Sequence, residues 1–184
     1  QELDKANNRE GKDYLKEYRE IVGVPLPLPV LPDLVRVQSR LIAEFPHAAD
    51  IVDSILGGLT GRANTWIRPT ILIGPAGCGK SRFVVRLAEE LGLSFELFPC
   101  GGVGDGMFGG NSRSWSSGMP SVPVTAVRRH MNAGPLMILD EIEKAGIGRH
   151  NGNLYDVLHG LLERETSRRW QDPFLMAHCD LSHL

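Results

Sequence analysis

The 184 residues carry a formal net charge of −2, with 42% hydrophobic and 23% charged positions. This balance excludes an overall basic field of the kind that gathers nucleic acid or an anionic membrane surface. No apolar run approaches the ~20 residues needed to span a bilayer. The three cysteines, Cys78, Cys100 and Cys179, have neither the number nor the spacing of a disulfide framework or a zinc site. They point to a reducing cytoplasm.

The chain opens on Gln1-Glu-Leu-Asp-Lys, which is neither a signal peptide nor an initiator methionine, so it is read as starting inside a longer reading frame. Asp13 to Val22 predicts a short helix with Tyr14, Leu15 and Tyr18 on one side. Pro25-Leu-Pro-Leu-Pro-Val-Leu-Pro32 places four prolines among aliphatic residues. Such a stretch forms neither helix nor central strand, and it reads as a stiff extended spacer lying on the domain surface. Asp33 caps a helix predicted through Phe45, with Leu34, Val37, Leu41 and Ile42 as its apolar stripe. Pro46 opens a second helix, carried by Ile51, Val52, Ile55 and Leu56 and stopped at Gly57-Gly58. Residues 1–60 are thus an N-terminal helical segment containing the proline-rich linker at 25–32, and residues 61–184 form an α/β unit.

Thr70-Ile-Leu-Ile73 predicts a strand running into Gly74-Pro75-Ala76-Gly77-Cys78-Gly79-Lys80-Ser81, which has the form G-x-x-x-x-G-K-S of a phosphate-binding loop. The glycines let successive N–H groups turn inward on an anion, Lys80 supplies a point charge for the outer phosphates, and Ser81 carries a hydroxyl suited to magnesium. Arg82 to Leu91 is helical, with Val84, Leu87, Ala88 and Leu91 on one face. Its N-terminus aims a positive dipole end at the same phosphates.

Leu93 to Phe98 alternates as a second strand. Residues 100–121 are rich in glycine and serine and read as a mobile functional loop. Within them Gly104-Asp-Gly106-Met-Phe-Gly109 matches a dinucleotide-binding fingerprint in form, and is rejected because no helix is predicted to open there. Val122 to Met131 is a short helix, and Leu136-Met-Ile-Leu139 is a continuous apolar run of the buried parallel kind, ending in Asp140-Glu141. Asn153 caps a helix predicted to about Thr166, and the remainder reads as a turn with two short extended pieces.

Asp140 is the expected magnesium ligand and Glu141 the group that polarises an attacking water, since carboxylates are hard oxygen ligands and bases at neutral pH. An Asn-Lys-x-Asp base reader for guanine is absent, so ATP is the expected nucleotide. His178-Cys179-Asp180 cannot align as a catalytic group, because neighbours on an extended segment face opposite ways. His130, His150 and His159 lack metal spacing.

From Arg68 onward the chain resembles an AAA+ ATPase, most like the ATPase module of Lon-type proteases. Gly74–Ser81 and Pro135-Leu-Met-Ile-Leu-Asp-Glu-Ile-Glu-Lys144 resemble that family's Walker A and Walker B segments. Arg113-Ser-Trp115-Ser-Ser-Gly-Met119-Pro120 is similar to its substrate-gripping pore loop, apart from Ser116, where the family carries an aliphatic residue. Trp170-Gln-Asp-Pro-Phe-Leu and Asp180-Leu-Ser182 resemble the approach to its fourth strand.

The resemblance implies a phosphate-loop NTPase fold, a three-layer α/β/α arrangement about a parallel sheet, truncated before that fourth strand. It implies ATP and Mg2+ as cofactors, Lys80 and Glu141 as catalytic residues, Trp115 and Met119 on the pore loop, a protein substrate, and self-association into a ring. With the sensor, arginine-finger and lid segments falling past Leu184, the chain is read as the front part of a longer ATPase, binding ATP weakly and hydrolysing it poorly alone. The alternative function is a nucleotide-dependent switch or scaffold. A DNA-directed loader is disfavoured by the acidic balance.

Overall fold

A computed structural model describes residues 16–101, 106–115, 118–145 and 153–184. Residues 13–15 of the first predicted helix, together with Gly104, Ser116 and His150, lie outside these ranges. The helices are α1 (Leu34–Glu44), α2 (Ala49–Gly57), α3 (Lys80–Glu90), α4 (Gly106–Gly109), α5 (Val122–His130), α6 (Leu154–Leu162) and α7 (Arg164–Ser167). The strands are β1 (Phe95–Pro99), β2 (Leu136–Asp140), β3 (Trp170–Asp172) and β4 (Ala177–Cys179).

The centre is a parallel pair. β1 runs beside β2 in the register Phe95↔Leu136 to Pro99↔Asp140, so both strands end at the same edge. Alternation along the strands separates two apolar faces. Phe95 and Leu136 turn to a cluster built by α1, α2 and α3, while Phe98, Met137 and Leu139 turn to one holding Phe108, Leu154 and Val157. Helices therefore cover both faces of the pair, as a parallel sheet requires. A third cluster joins Tyr18, α5 and the antiparallel β3–β4 hairpin.

The predicted strand at 70–73 pairs with no strand among the described residues; Ile71 and Ile73 are 75% and 93% exposed. An apolar strand becomes a ladder member only beside a partner, and β1 and β2 engage each other. On one side of the 66–73 stretch lies a groove of about 350 Å3, lined by Ile51, Ile55, Trp66 and Ile71 among others.

The other elements follow local chemistry. Asp33 caps α1 by accepting from the Val35 and Arg36 N–H groups, and Asn153 caps α6 by accepting from that of Tyr155. The proline-rich segment is extended and tied down by its carbonyls: Ala133 N–H donates to Pro27 and Thr65 N–H to Pro29, at 2.9 and 2.8 Å. The helix expected through Thr166 breaks at Glu163, whose backbone is extended (φ −83°, ψ 113°). A shorter helix restarts there and buries Ser167, whose carbonyl accepts from Leu181 N–H at 2.9 Å.

Two readings of the glycine-rich stretch are corrected. A single helical turn, α4, does open at Gly106. The stretch also contributes to the core: Phe108 is fully buried, with its ring 4.9 Å from that of Phe98. Burying one such side chain stabilises by roughly 1.5–3 kcal/mol, enough to hold a turn that glycine alone would leave unformed.

Candidate nucleotide site

The phosphate loop leaves the 70–73 stretch and enters α3. Gly77 and Gly79 lie in the left-handed region, at φ 75° and 88°, where a side chain costs roughly 1–2 kcal/mol. Gly79 is the N-cap of α3, and no side chain caps the helix. The first-turn N–H groups of a helix have no partner within it, so this end is built to receive an anion. Cys78 is exposed, and a Cβ added at Gly74 would approach its Sγ to 3.2 Å. Lys80 folds over the loop and donates to the carbonyls of Gly74 and Pro75 at 3.0 and 2.9 Å. Its ammonium thus sits on the loop it serves.

Ser81, on the first turn of α3, meets the C-terminal end of β2. Its hydroxyl lies 3.0 and 2.9 Å from the two carboxylate oxygens of Asp140. Asp140 is held by its own strand edge: its carbonyl accepts from Cys100 N–H at 2.8 Å, and Oδ1 also accepts from Glu141 N–H at 3.1 Å. Ligand sites of open parallel sheets lie beyond the carboxyl ends of the strands, and this is such an edge.

Glu141 occupies the left-handed region at φ 56° and opens a tight turn, Ile142–Lys144. The Tyr155 hydroxyl fastens that turn by donating to the Ile142 carbonyl at 3.1 Å. The Glu141 carboxylate pairs with Lys144, and a Cβ at Gly101 would come within 3.3 Å of Glu141 Oε2. The hydrogen bond that Lys144 donates to Glu141, followed by the charge of that carboxylate, raises the Lys144 ammonium above the ordinary lysine range.

The structure brings together Ser81 with Asp140, Lys80 with the loop, and Glu141 with the β2 edge. Trp115 stands elsewhere, at the turn of the next loop and 61% exposed; Met119, on the returning leg of that loop, is half-buried. Sequence reasoning missed Lys144 and Gly101 beside Glu141. It also missed Glu44, which accepts from Arg82 and Arg86 on α3 at 2.7 and 3.0 Å. The i, i+3 spacing from Glu141 to Lys144 was a readable signal; Glu44 and α3 are joined only by the fold.

A phosphate loop that leads into the N-terminus of a helix, with a carboxylate at the end of a parallel strand, defines the class of nucleoside-triphosphate enzymes. Residues 70–178 match the family described as ATPase family associated with various cellular activities (AAA). The chain belongs to this family, and the module is an ATPase by class.

Among relatives it is similar to Lon protease homolog 4, chloroplastic/mitochondrial, of Arabidopsis thaliana, at 29% identity over 156 residues, covering 82% of this chain and 16% of that protein. Similarity to Lon protease homolog 2, peroxisomal, of Pichia angusta is 30% over 124 residues, 66% of this chain and 13% of that protein. With the Lon protease of Rickettsia bellii it shares 32% over 114 residues, 61% of this chain and 15% of that protein. The chain thus spans about a sixth or less of the length of these relatives. No described helix is long and apolar enough to cross a membrane.

Proposed function

We propose that this chain is the ATP-binding and ATP-hydrolysing part of a Lon-like motor that remodels or translocates protein substrates. The observation that carries the reading is the contact between Ser81 and Asp140, residues 59 positions apart. A serine hydroxyl and a carboxylate bonded to each other at the mouth of a phosphate loop are the hard oxygen donors that suit a small divalent cation. Ser81 and Asp140 would hold Mg2+, and the ion, when bound, neutralises charge on the phosphate oxygens. The α3 N-terminus and the 74–81 backbone bind phosphate. Lys80 exchanges two carbonyl acceptors for a more strongly charged one. Glu141 orients water and takes its proton, once its carboxylate leaves Lys144.

Trp115 and Met119 would grip polypeptide, a wide aromatic face wedging against varied side chains. The motor would act as a ring of copies, as the similarity to Lon proteases suggests. The odd number and scattered spacing of Cys78, Cys100 and Cys179 support a reducing compartment such as the cytoplasm. The relatives' names span organelles as well.

The test is Glu141→Gln in the assembled ATPase. It should bind ATP as the parent does and lower turnover about a hundredfold or more, within the range for removing a general base. Parental turnover in that variant would refute the assignment.

A further inference from the structure

Asp172 is fully buried, and its carboxylate is met by neutral donors on both oxygens. The N–H groups of Phe174 and Leu175 donate to Oδ1 at 3.0 and 2.9 Å and close the turn after β3. The Ser121 N–H and Oγ donate to Oδ2 at 2.8 and 2.7 Å, across 51 residues of sequence. A turn of this kind needs one acceptor oxygen. Full burial of a carboxylate is costly unless both oxygens are satisfied, and among the described residues the second is satisfied by Ser121.

Ser121 is where the Trp115 loop returns to the domain and where α5 begins. The two legs of that loop touch through backbone at two levels. At the stem, Asn111 N–H donates to the Met119 carbonyl at 2.9 Å. Gly110, at φ 81°, lies so close that an added Cβ would sit 2.6 Å from the Ser121 nitrogen. Higher up, a Cβ at Gly118 would meet the Ser112 carbonyl at 2.6 Å and Arg113 Cα at 2.9 Å. Gly118 N–H donates to the Trp115 carbonyl and Trp115 N–H to that of Ser112, both at 3.0 Å. The described residues of the two legs thus close on each other, with Trp115 ending the turn from Ser112, and Ser121 joins the returning leg to the β3–β4 hairpin.

We propose that Asp172 is the positioning residue of the Trp115 loop, an inference that rests on the gripping role proposed for Trp115. An aromatic that grips polypeptide can carry load only as far as its base resists, and this base is tied by two hydrogen bonds to a buried charge. Bonds to a charged acceptor are stronger than neutral ones. Asp172 therefore determines how firmly substrate is held, without touching substrate or nucleotide.

The experiment uses the assembled ATPase with casein as an unfolded protein substrate, and compares Asp172→Asn, Ser121→Ala and Trp115→Ala. Asn keeps the shape of Asp172 but offers one carbonyl oxygen, so one pair of donors loses its acceptor. Ser121→Ala removes a single donor and leaves the β3–β4 turn alone. Both are expected to raise KM for casein about tenfold while kcat stays within about twofold, the signature of weakened holding and not of altered chemistry.

Cleavage by trypsin after Arg113, half-buried in this loop, should accelerate about tenfold in both variants, as it would for a local opening released by about 1.4 kcal/mol. If Trp115→Ala raises KM and Ser121→Ala changes neither KM nor cleavage, the role of Asp172 is overturned. If Trp115→Ala leaves KM unchanged, the gripping role itself fails and takes this inference with it. Should Asp172→Asn lose its fold, Ser121→Ala alone decides.

Discussion

The Ser81 hydroxyl reaches both carboxylate oxygens of Asp140, at 3.0 and 2.9 Å, and so joins the first turn of α3 to the end of β2. One hydroxyl proton cannot satisfy two acceptors fully. The contact therefore leaves carboxylate capacity open at the point where the proposed cation would be held.

From that follows a prediction about Asp140→Asn. In the Mg2+-containing assay it should weaken binding of a fluorescent ATP analogue about tenfold, close to 1.4 kcal/mol. With EDTA present, parent and variant should bind alike, because phosphate contacts from the loop backbone and Lys80 remain. Equal loss with and without Mg2+ would mean that Asp140 supports the loop by packing alone.

Gly79→Ala tests the loop backbone independently of charge. A Cβ there meets no neighbour within 4 Å, so any penalty comes from φ 88° alone. Thermal unfolding should report a loss of roughly 1–2 kcal/mol, with nucleotide binding falling alongside as the cradle flattens. Unchanged binding together with the expected stability loss would separate the cradle from the glycine.

The junction between α1 and α3 carries a pH prediction. Hydrogen bonds from Arg82 and then Arg86 hold the Glu44 carboxyl below the ordinary range, and Arg40 foremost does the same for Glu90. For carboxylates lowered in the fold, the stabilising contribution is present above their unfolded pKa, about 4.5, and lost as pH falls through the folded value. Tm should thus fall with acid below about pH 4.5, and Glu44→Gln should flatten that dependence. The Arg40 and Arg82 side chains of these pairs are 49% and 73% exposed, so added salt should weaken the effect.

The parts of this molecule legible in its sequence are those dictated within a few residues. The phosphate loop depends on glycine backbone freedom and one lysine, and the caps at Asp33 and Asn153 need only a side chain two or three residues from its donors. Asp140-Glu141 was legible because a buried parallel strand is a plain apolar run. What stayed hidden depends on distant partners. Phe108 sits among glycines, and only the approach of Phe98 makes it core. Asp172 looked like part of a turn, since Ser121 lies 51 residues away. The 70–73 run reads as strand, but whether it pairs is decided by which strands lie beside it.

Cys179 offers a test in the alkaline range. Burial first, and the neighbouring charge of Asp172 second, push its thiol up to about 12. An acid whose folded pKa is raised favours the fold while the unfolded thiol is also protonated, below about 8.5. That advantage is lost as pH rises from there towards 12, because the unfolded chain can ionise and the folded one resists. At pH 8 a thiol reagent should therefore modify exposed Cys78 quickly and Cys179 slowly. Between pH 9 and about 11.5 stability should decline, and Cys179→Ser should lessen the decline. Fast modification of Cys179 at pH 8 with the fold intact would show that the β3–β4 hairpin opens on its own, independently of the core beneath it.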